Sequence, residues 1–215
     1  MLELNILVIS AHPDDEVIGM GATIKKLSKT NKICLCVVSE GVTSQYSEKK
    51  MIKVRRNACK KSGKILGISE IIFLDYPDMR LDTIPHVEIN KELEKIIKKF
   101  KPKIVYSPPS HDLNEDHKKV FESSLVTTRP FSNSVKSLLC YELPGPVREP
   151  FRPSVYENVL KDFSYKIKAF KMYKSEVMKF PHPRSLISIE NLAIYRGVEA
   201  GLKRAEAFQL IRSIN

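Results

Sequence analysis

The chain has 215 residues, 36 of them Lys or Arg against 25 Asp or Glu, giving a formal net charge of +11. Apolar residues make up 42% and charged residues 28%, the balance of a folded soluble chain rather than a disordered one. No apolar run approaches the ~18 residues of a membrane span. Leu4–Ser10 is a continuous apolar run, as in a strand buried on both faces of a parallel sheet. A polar turn and a helix over about 17–28 follow, then a second buried strand at 33–38. A basic helix over about 47–66 has Ser47 as its expected N-cap and Gly67 as its stop. Strands at 71–74 and 104–107 and helices at 86–100 and 116–128 continue the alternation, and 137–142 reads as a fifth strand. After Pro144 come several prolines, one more short strand and two helices running to the end.

Strands alternating with helices predict a single α/β domain over 1–215: a Rossmann-like, mostly parallel open sheet flanked by helices. Residues 1–143 form its core, and 144–215 an appended segment packed on that core. The N-terminus has no basic region followed by a separate apolar stretch, so no signal peptide is expected. Cys34, Cys36, Cys59 and Cys140 show no zinc spacing and read as reduced thiols of a cytoplasmic protein, with Cys34 and Cys36 packed in the core.

Two polar motifs directly follow buried strands, where ligands of open α/β sheets bind. The first is Ala11-His12-Pro13-Asp14-Asp15-Glu16. Pro13 stiffens the turn, so His12 and Asp15 can converge on one divalent cation while Asp14 points elsewhere. The plainer account is that Asp14 and Asp15 N-cap the next helix. The second is Ser110-His111-Asp112-Leu113-Asn114-Glu115-Asp116-His117, whose plainer account is a polar loop with Asp116 as the cap. Together, the motifs bring a third ligand within reach of the first pair. Two imidazoles and a carboxylate with an open fourth position are the donors of catalytic zinc.

On these motifs the chain resembles the PIG-L/LmbE-like zinc N-deacetylases. Arg55 with Leu66-Gly67, Pro77-Asp78-Met79-Arg80-Leu81 (the family often has Gly at Met79), Arg196-Gly197, Gly201 and Ala205-Glu206-Ala207-Phe208 extend the likeness over most of the chain. The resemblance implies one Zn²⁺ per chain on His12, Asp15 and His117, with Asp14 as general base. It implies hydrolysis of the acetyl amide of an amino sugar or sugar conjugate, with Arg55 holding substrate. Where many relatives have His three residues before the zinc His, this chain has Asn114. Asn donates a hydrogen bond to an oxyanion but shuttles no proton, which leaves Asp14, His111 or His182 for the acid role; Asp14 is preferred.

Further candidates are Asp78, Arg184 and His182 toward substrate. Asp112 and Asp116 are candidates to hold the ligand histidines from behind, Asp116 preferred because it adjoins His117. Ser39-Glu40-Gly41 either lines the same cleft or is a plain turn. The basic excess falls in residues 51–100 and 151–215, away from both motifs. It therefore reads as solvated surface, with Arg55, Arg80 and Arg184 at the rim suiting a phosphate-bearing sugar. A basic nucleic-acid-binding module is the alternative from another class, but no recognition motif supports it. A metal-dependent phosphoester hydrolase is a further one. No nucleic acid or membrane span is expected, and a homo-oligomer stays open.

Overall fold

The computed structural model describes residues 3–44, 46, 50–131 and 133–214. In chain order the elements are β1 (Asn5–Ser10), α1 (Asp15–Leu27), β2 (Lys32–Ser39), α2 (Lys50–Leu66), β3 (Glu70–Tyr76), α3 (His86–Phe100), β4 (Ile104–Ser107), α4 (Glu115–Thr127), β5 (Ser137–Tyr141), β6 (Val155–Asn158), α5 (Phe163–Phe170), α6 (Leu186–Glu199) and β7 (Ala205–Ser213). They form one seven-stranded sheet in the order β3-β2-β1-β4-β5-β7-β6. The first five strands are parallel, while β7 runs antiparallel to both β5 and β6. The sheet is thus mixed and mostly parallel. The expected cap Ser47 lies outside the described residues, and α2 is described from Lys50.

Alternation along the strands divides the core into two layers. Ile6, Val8, Ile33, Leu35 and Val37 pack toward α1, α2, α5 and α6. Leu7, Ile9, Cys34, Cys36 and Val38 pack toward α3 and α4. Cys34 and Cys36 are therefore core residues on one face, and all four cysteines are free and buried. Among the described residues no helix is long and apolar enough to cross a membrane.

The end of the chain corrects one expectation. It closes in β7, a nine-residue strand, rather than in a helix. Residues 144–215 are not simply laid on the core, since β7 pairs with β5 inside the sheet. Hydrogen bonds from α1 to the buried Glu206 fasten them further. Helix α1 is broken at Met20, whose φ of −145° is non-helical. The break frees the backbone N–H groups of Ala22 and Thr23, which donate to the Glu206 carboxylate at 3.1 and 2.6 Å. Lys166 Nζ, also buried, balances that carboxylate at 2.6 Å.

The strand order reverses direction between β1 and β4, each paired to the other and leading outward to opposite edges. The segments leaving their carboxyl ends part on either side of a crevice, the place where such sheets bind ligands. Both polar motifs sit there.

Candidate metal centre

His12 follows β1 directly, and its backbone N–H donates to Asp15 Oδ2 at 2.8 Å. This short-range bond folds the first turn of α1 back, so that Asp15 faces His12 instead of solvent. His117 reaches the same point from the first turn of α4. His12 Nδ1 lies 3.3 Å from His117 Nε2, and Asp15 Oδ2 lies 3.6 and 3.4 Å from those two nitrogens. All three residues are buried.

The remaining ring nitrogens decide what this cluster can hold. His12 Nε2 lies 3.0 Å from Asp116 Oδ2, and His117 Nδ1 lies 2.7 Å from Asp112 Oδ2. A carboxylate only accepts, so each of these nitrogens carries the proton. That tautomer leaves lone pairs on His12 Nδ1 and His117 Nε2, aimed at each other and at a carboxylate oxygen. With both rings neutral, three electron-pair donors converge with no proton among them, an arrangement a cation satisfies. Without such a cation, protons take its place. Burial opposes protonation of His12, but hydrogen bonds to Asp116 and Asp15 and the charges of Asp15 and Asp78 push it up to about 10. His117, equally buried, is pushed up to about 9, chiefly by Asp15 and Asp112. Burial would raise Asp15, yet the two imidazoles hold it well below the usual carboxylate range. The residues present therefore fit a divalent metal, and two imidazoles with one carboxylate favour zinc over magnesium.

Both candidate supporting carboxylates meet a histidine, but Asp116 does not meet its neighbour His117. Asp116 holds His12, and His117 is held by Asp112. Asp116 also accepts the backbone N–H groups of Met79 and Leu81 at 2.8 and 2.9 Å, tying the 77–81 segment to the centre. A second cluster of His12, Asp78 and Asp116 shares the Nε2 side of His12. With Asp116 already accepting two backbone N–H groups and the ring N–H at His12 Nε2, it reads as the support of that histidine and not as a second metal site. Asp78 lies 3.3 Å from His12 Nε2 and accepts from Ser44, so it is buried beside the ligands. Glu40 ties Val42, Thr43 and the Asp78 backbone together. Gly41 has a φ of +66°, and a Cβ there would stand 2.5 Å from Pro13, so the loop approaches the first motif only as glycine. Ser39-Glu40-Gly41 is thus a wall of the centre rather than a plain turn.

Asp14 occupies the N-cap position of α1 without making a side-chain cap bond. Its φ of 135° is a strained region for a residue with a Cβ, of the kind found at functional sites. The side chain is fully buried, and among the described residues neither carboxylate oxygen has a hydrogen-bond partner. Burial raises its pKa, against the opposing charges of Arg184 and Arg55.

The remaining candidates sit around this centre, and one of them, Arg55, does not sit where expected. Asn114 is the N-cap of α4, its Oδ1 accepting the Asp116 N–H at 2.9 Å, so the side-chain oxygen is engaged in the helix start. Arg55 is only 2% exposed, donates to Pro13 O at 2.7 Å and pairs with Glu176; it lies under the first motif and not at a rim. His182 is exposed, its Nδ1 accepting the Arg184 N–H within a turn. Arg184 is half-buried and donates to Glu176 at 2.6 Å. Arg80 is exposed, and His111 packs against the Phe151 ring with 5.8 Å between centroids. Glu176 and Tyr173, whose hydroxyl donates to Glu16 at 2.7 Å, were missed by the sequence reading. Glu176 is the only acidic residue between Asp162 and Glu190, in a stretch full of lysines, and that isolation was its signal.

The family model described as PIG-L, GlcNAc-PI de-N-acetylase, matches residues 7–127. An uncharacterized deacetylase of Escherichia coli K12, YaiS, is 32% identical over 179 residues, covering 79% of this chain and 90% of its own length. The diacetylchitobiose deacetylase of Thermococcus kodakarensis is 26% identical over 226 residues, covering 97% of this chain and 84% of its own. A solved structure of N,N'-diacetylchitobiose deacetylase from Pyrococcus horikoshii, bound to its inhibitor MPG, has the same fold. Its TM-score is 0.82 at 23% identity, with 97% of this chain and 84% of that one covered.

Proposed function

The chain belongs to the PIG-L family, and from that premise we propose that it is a zinc-dependent hydrolase removing the acetyl group from an N-acetylated amino sugar or sugar conjugate. The observation that carries this reading is the convergence of His12 Nδ1, His117 Nε2 and Asp15 Oδ2 beside a buried carboxylate, Asp14, whose oxygens are unbonded. The relatives named above are deacetylases, two of them acting on diacetylchitobiose, which supports the amide as the bond and an amino sugar as its carrier.

His12, Asp15 and His117 would hold the zinc, which would supply Lewis acidity toward a water and the acetyl oxygen. The protein's own groups do the rest. Asp112 and Asp116 fix the ring tautomers, so both lone pairs stay aimed at the ligand position. Asp14 accepts a proton from the attacking water and returns it to the departing nitrogen, so one water and one amide become acetate and an amine. Its raised pKa suits both halves of that exchange. Asn114, fixed as a helix cap, leaves the proton transfers to Asp14. Between the segment after β5 and α6 lies a groove of about 440 Å³, walled by Leu143, Pro144, Val147, Phe151, Leu192 and Tyr195. Its near wall is joined to the centre, since Val147 bridges to Asp112. That groove would receive the substituent carried by the sugar.

The test is Asp14→Asn, assayed for acetate release and for bound zinc. Loss of turnover by at least 100-fold with one zinc per chain retained supports the assignment. Turnover close to wild type would remove Asp14 from the base role.

A further inference from the structure

Four charged side chains lie together beneath the first motif: Asp14, Arg55, Arg184 and Glu176. Glu176 follows α5 in the chain and has no exposed surface. It takes Nη1 of Arg55 and, at 2.6 Å, Nη1 of Arg184; Ser175 Oγ donates to it at 2.8 Å. Asp14 is the other anion within reach of both guanidiniums. Arg55 Nη2 stands 3.6 Å from Asp14 Oδ1, and Arg184 Nη1 stands 3.9 Å from Oδ2. Both separations exceed hydrogen-bond range.

This is an unusual distribution. Two guanidiniums beside a fully buried carboxylate favour a forked, doubly hydrogen-bonded pair. Here every close carboxylate contact of the two arginines goes to Glu176, and Asp14 is left with charge nearby but, among the described residues, no donor on its oxygens. Arg55 Nη2 is further occupied by the Pro13 carbonyl at 2.7 Å. Two acids balance two bases, so neither arginine has an unmet charge that would pull it onto Asp14.

We propose that Glu176 is a positioning residue for the deacetylation: it holds Arg55 and Arg184 off Asp14 and so keeps both carboxylate oxygens open to take a proton. The proposal rests on the reading of Asp14 as general base. A purely structural pair would need Glu176 and one arginine, and would be indifferent to how far the second stands from Asp14.

The two roles separate in a pair of variants. In Glu176→Gln the arginines outnumber the acids and close onto Asp14. The expected result is a fall in kcat of at least 10-fold, KM within twofold of wild type, and one zinc per chain. Glu176→Gln combined with Arg184→Gln restores the balance of one acid and one base, and kcat is expected at least fivefold above that of Glu176→Gln alone. A structural role predicts the reverse, because the double variant loses more packing. Wild-type kcat in Glu176→Gln, or no recovery in the double variant, overturns the proposal. If Glu176→Gln does not accumulate as folded protein, Glu176→Asp draws the charge back by one methylene. A lowered kcat at unchanged KM then supports the proposal, and an unchanged kcat overturns it. Wild-type protein that releases no acetate, or Asp14→Asn that matches wild type, would instead locate the failure in the base assignment and take this proposal with it.

Discussion

Replacing Asp116 by Asn tests the support of the metal centre at its most connected point. The Asp116 carboxylate accepts three donors: His12 Nε2 at 3.0 Å, Met79 N at 2.8 Å and Leu81 N at 2.9 Å. An amide has a single accepting oxygen. Placed at the Oδ2 position, it keeps His12 and Met79 but turns its NH₂ onto the Leu81 N–H. Placed at Oδ1, it keeps Leu81 and sets the NH₂ against His12 and Met79. Either way a buried donor meets a donor, which costs about 1–3 kcal/mol of stability. The second orientation also drives the His12 proton to Nδ1, the atom that would bind metal. Loss of such a supporting carboxylate typically lowers metal affinity by about 10–100-fold. Chelator competition for zinc and thermal melting of the metal-free protein read the two effects, and the melting temperature should fall by roughly 2–4 °C per kcal/mol. Asp112→Asn makes the control, because among the described residues the Asp112 carboxylate accepts from His117 and Asn114 alone, and it lies nearer solvent. An Asp116→Asn protein with wild-type zinc affinity, or one less affected than Asp112→Asn, would refute the assigned support.

Proton release gives a second check. With His12 pushed up to about 10 and His117 to about 9, the metal-free imidazoles are protonated at neutral pH. Zinc uptake at pH 7 should therefore release up to two protons, and apparent affinity should rise with pH until about 10. Calorimetry in buffers of different ionisation enthalpy measures the number; heats independent of buffer would contradict it. The sign for folding follows from the same raised values. In metal-free protein these histidines add stability fully below their ordinary value of about 6.5, and the gain disappears as pH rises through about 9–10. Away from the centre, Glu206→Ala strands the buried Lys166 ammonium and the Ala22 and Thr23 N–H groups, so denaturant unfolding should show a loss of about 3–5 kcal/mol. A loss under about 1 kcal/mol would show that the Glu206 carboxylate does not fasten β7 to α1.

Much of the fold is legible because β1, β2 and β4 are continuous apolar runs broken by helical periodicity, which leaves few ways to build the sheet. Strand β7 is harder to read. Its buried start holds Ala205, Glu206 and Ala207, two small residues around a charge, and only the distant partners Lys166 and α1 make that burial tolerable. At the centre, the first motif brings forward His12 and Asp15, and the family resemblance adds His117 as the third proposed ligand, whereas the supporting pairs escape a reading by sequence adjacency. Asp116 and His117 are neighbours on a helix and project about 100° apart, so they do not face each other. Asp112 precedes the helix and folds back onto His117. The place of Arg55 was readable from α2 itself. Arg55, Ala58, Cys59, Ser62 and Leu66 recur at helical spacing on its buried face, which points the arginine inward. Glu176 depends on a contact more than a hundred residues from its partner Arg55, and no local pattern encodes that.

The central claim is that a metal held by His12, Asp15 and His117 drives hydrolysis of an N-acetyl amide. It is tested most directly by acetate release from a panel of N-acetyl amino sugars, with and without chelator. The account predicts release from at least one of them, abolished when the metal is stripped and restored by stoichiometric zinc. Acetate release that persists after complete removal of metal would contradict it.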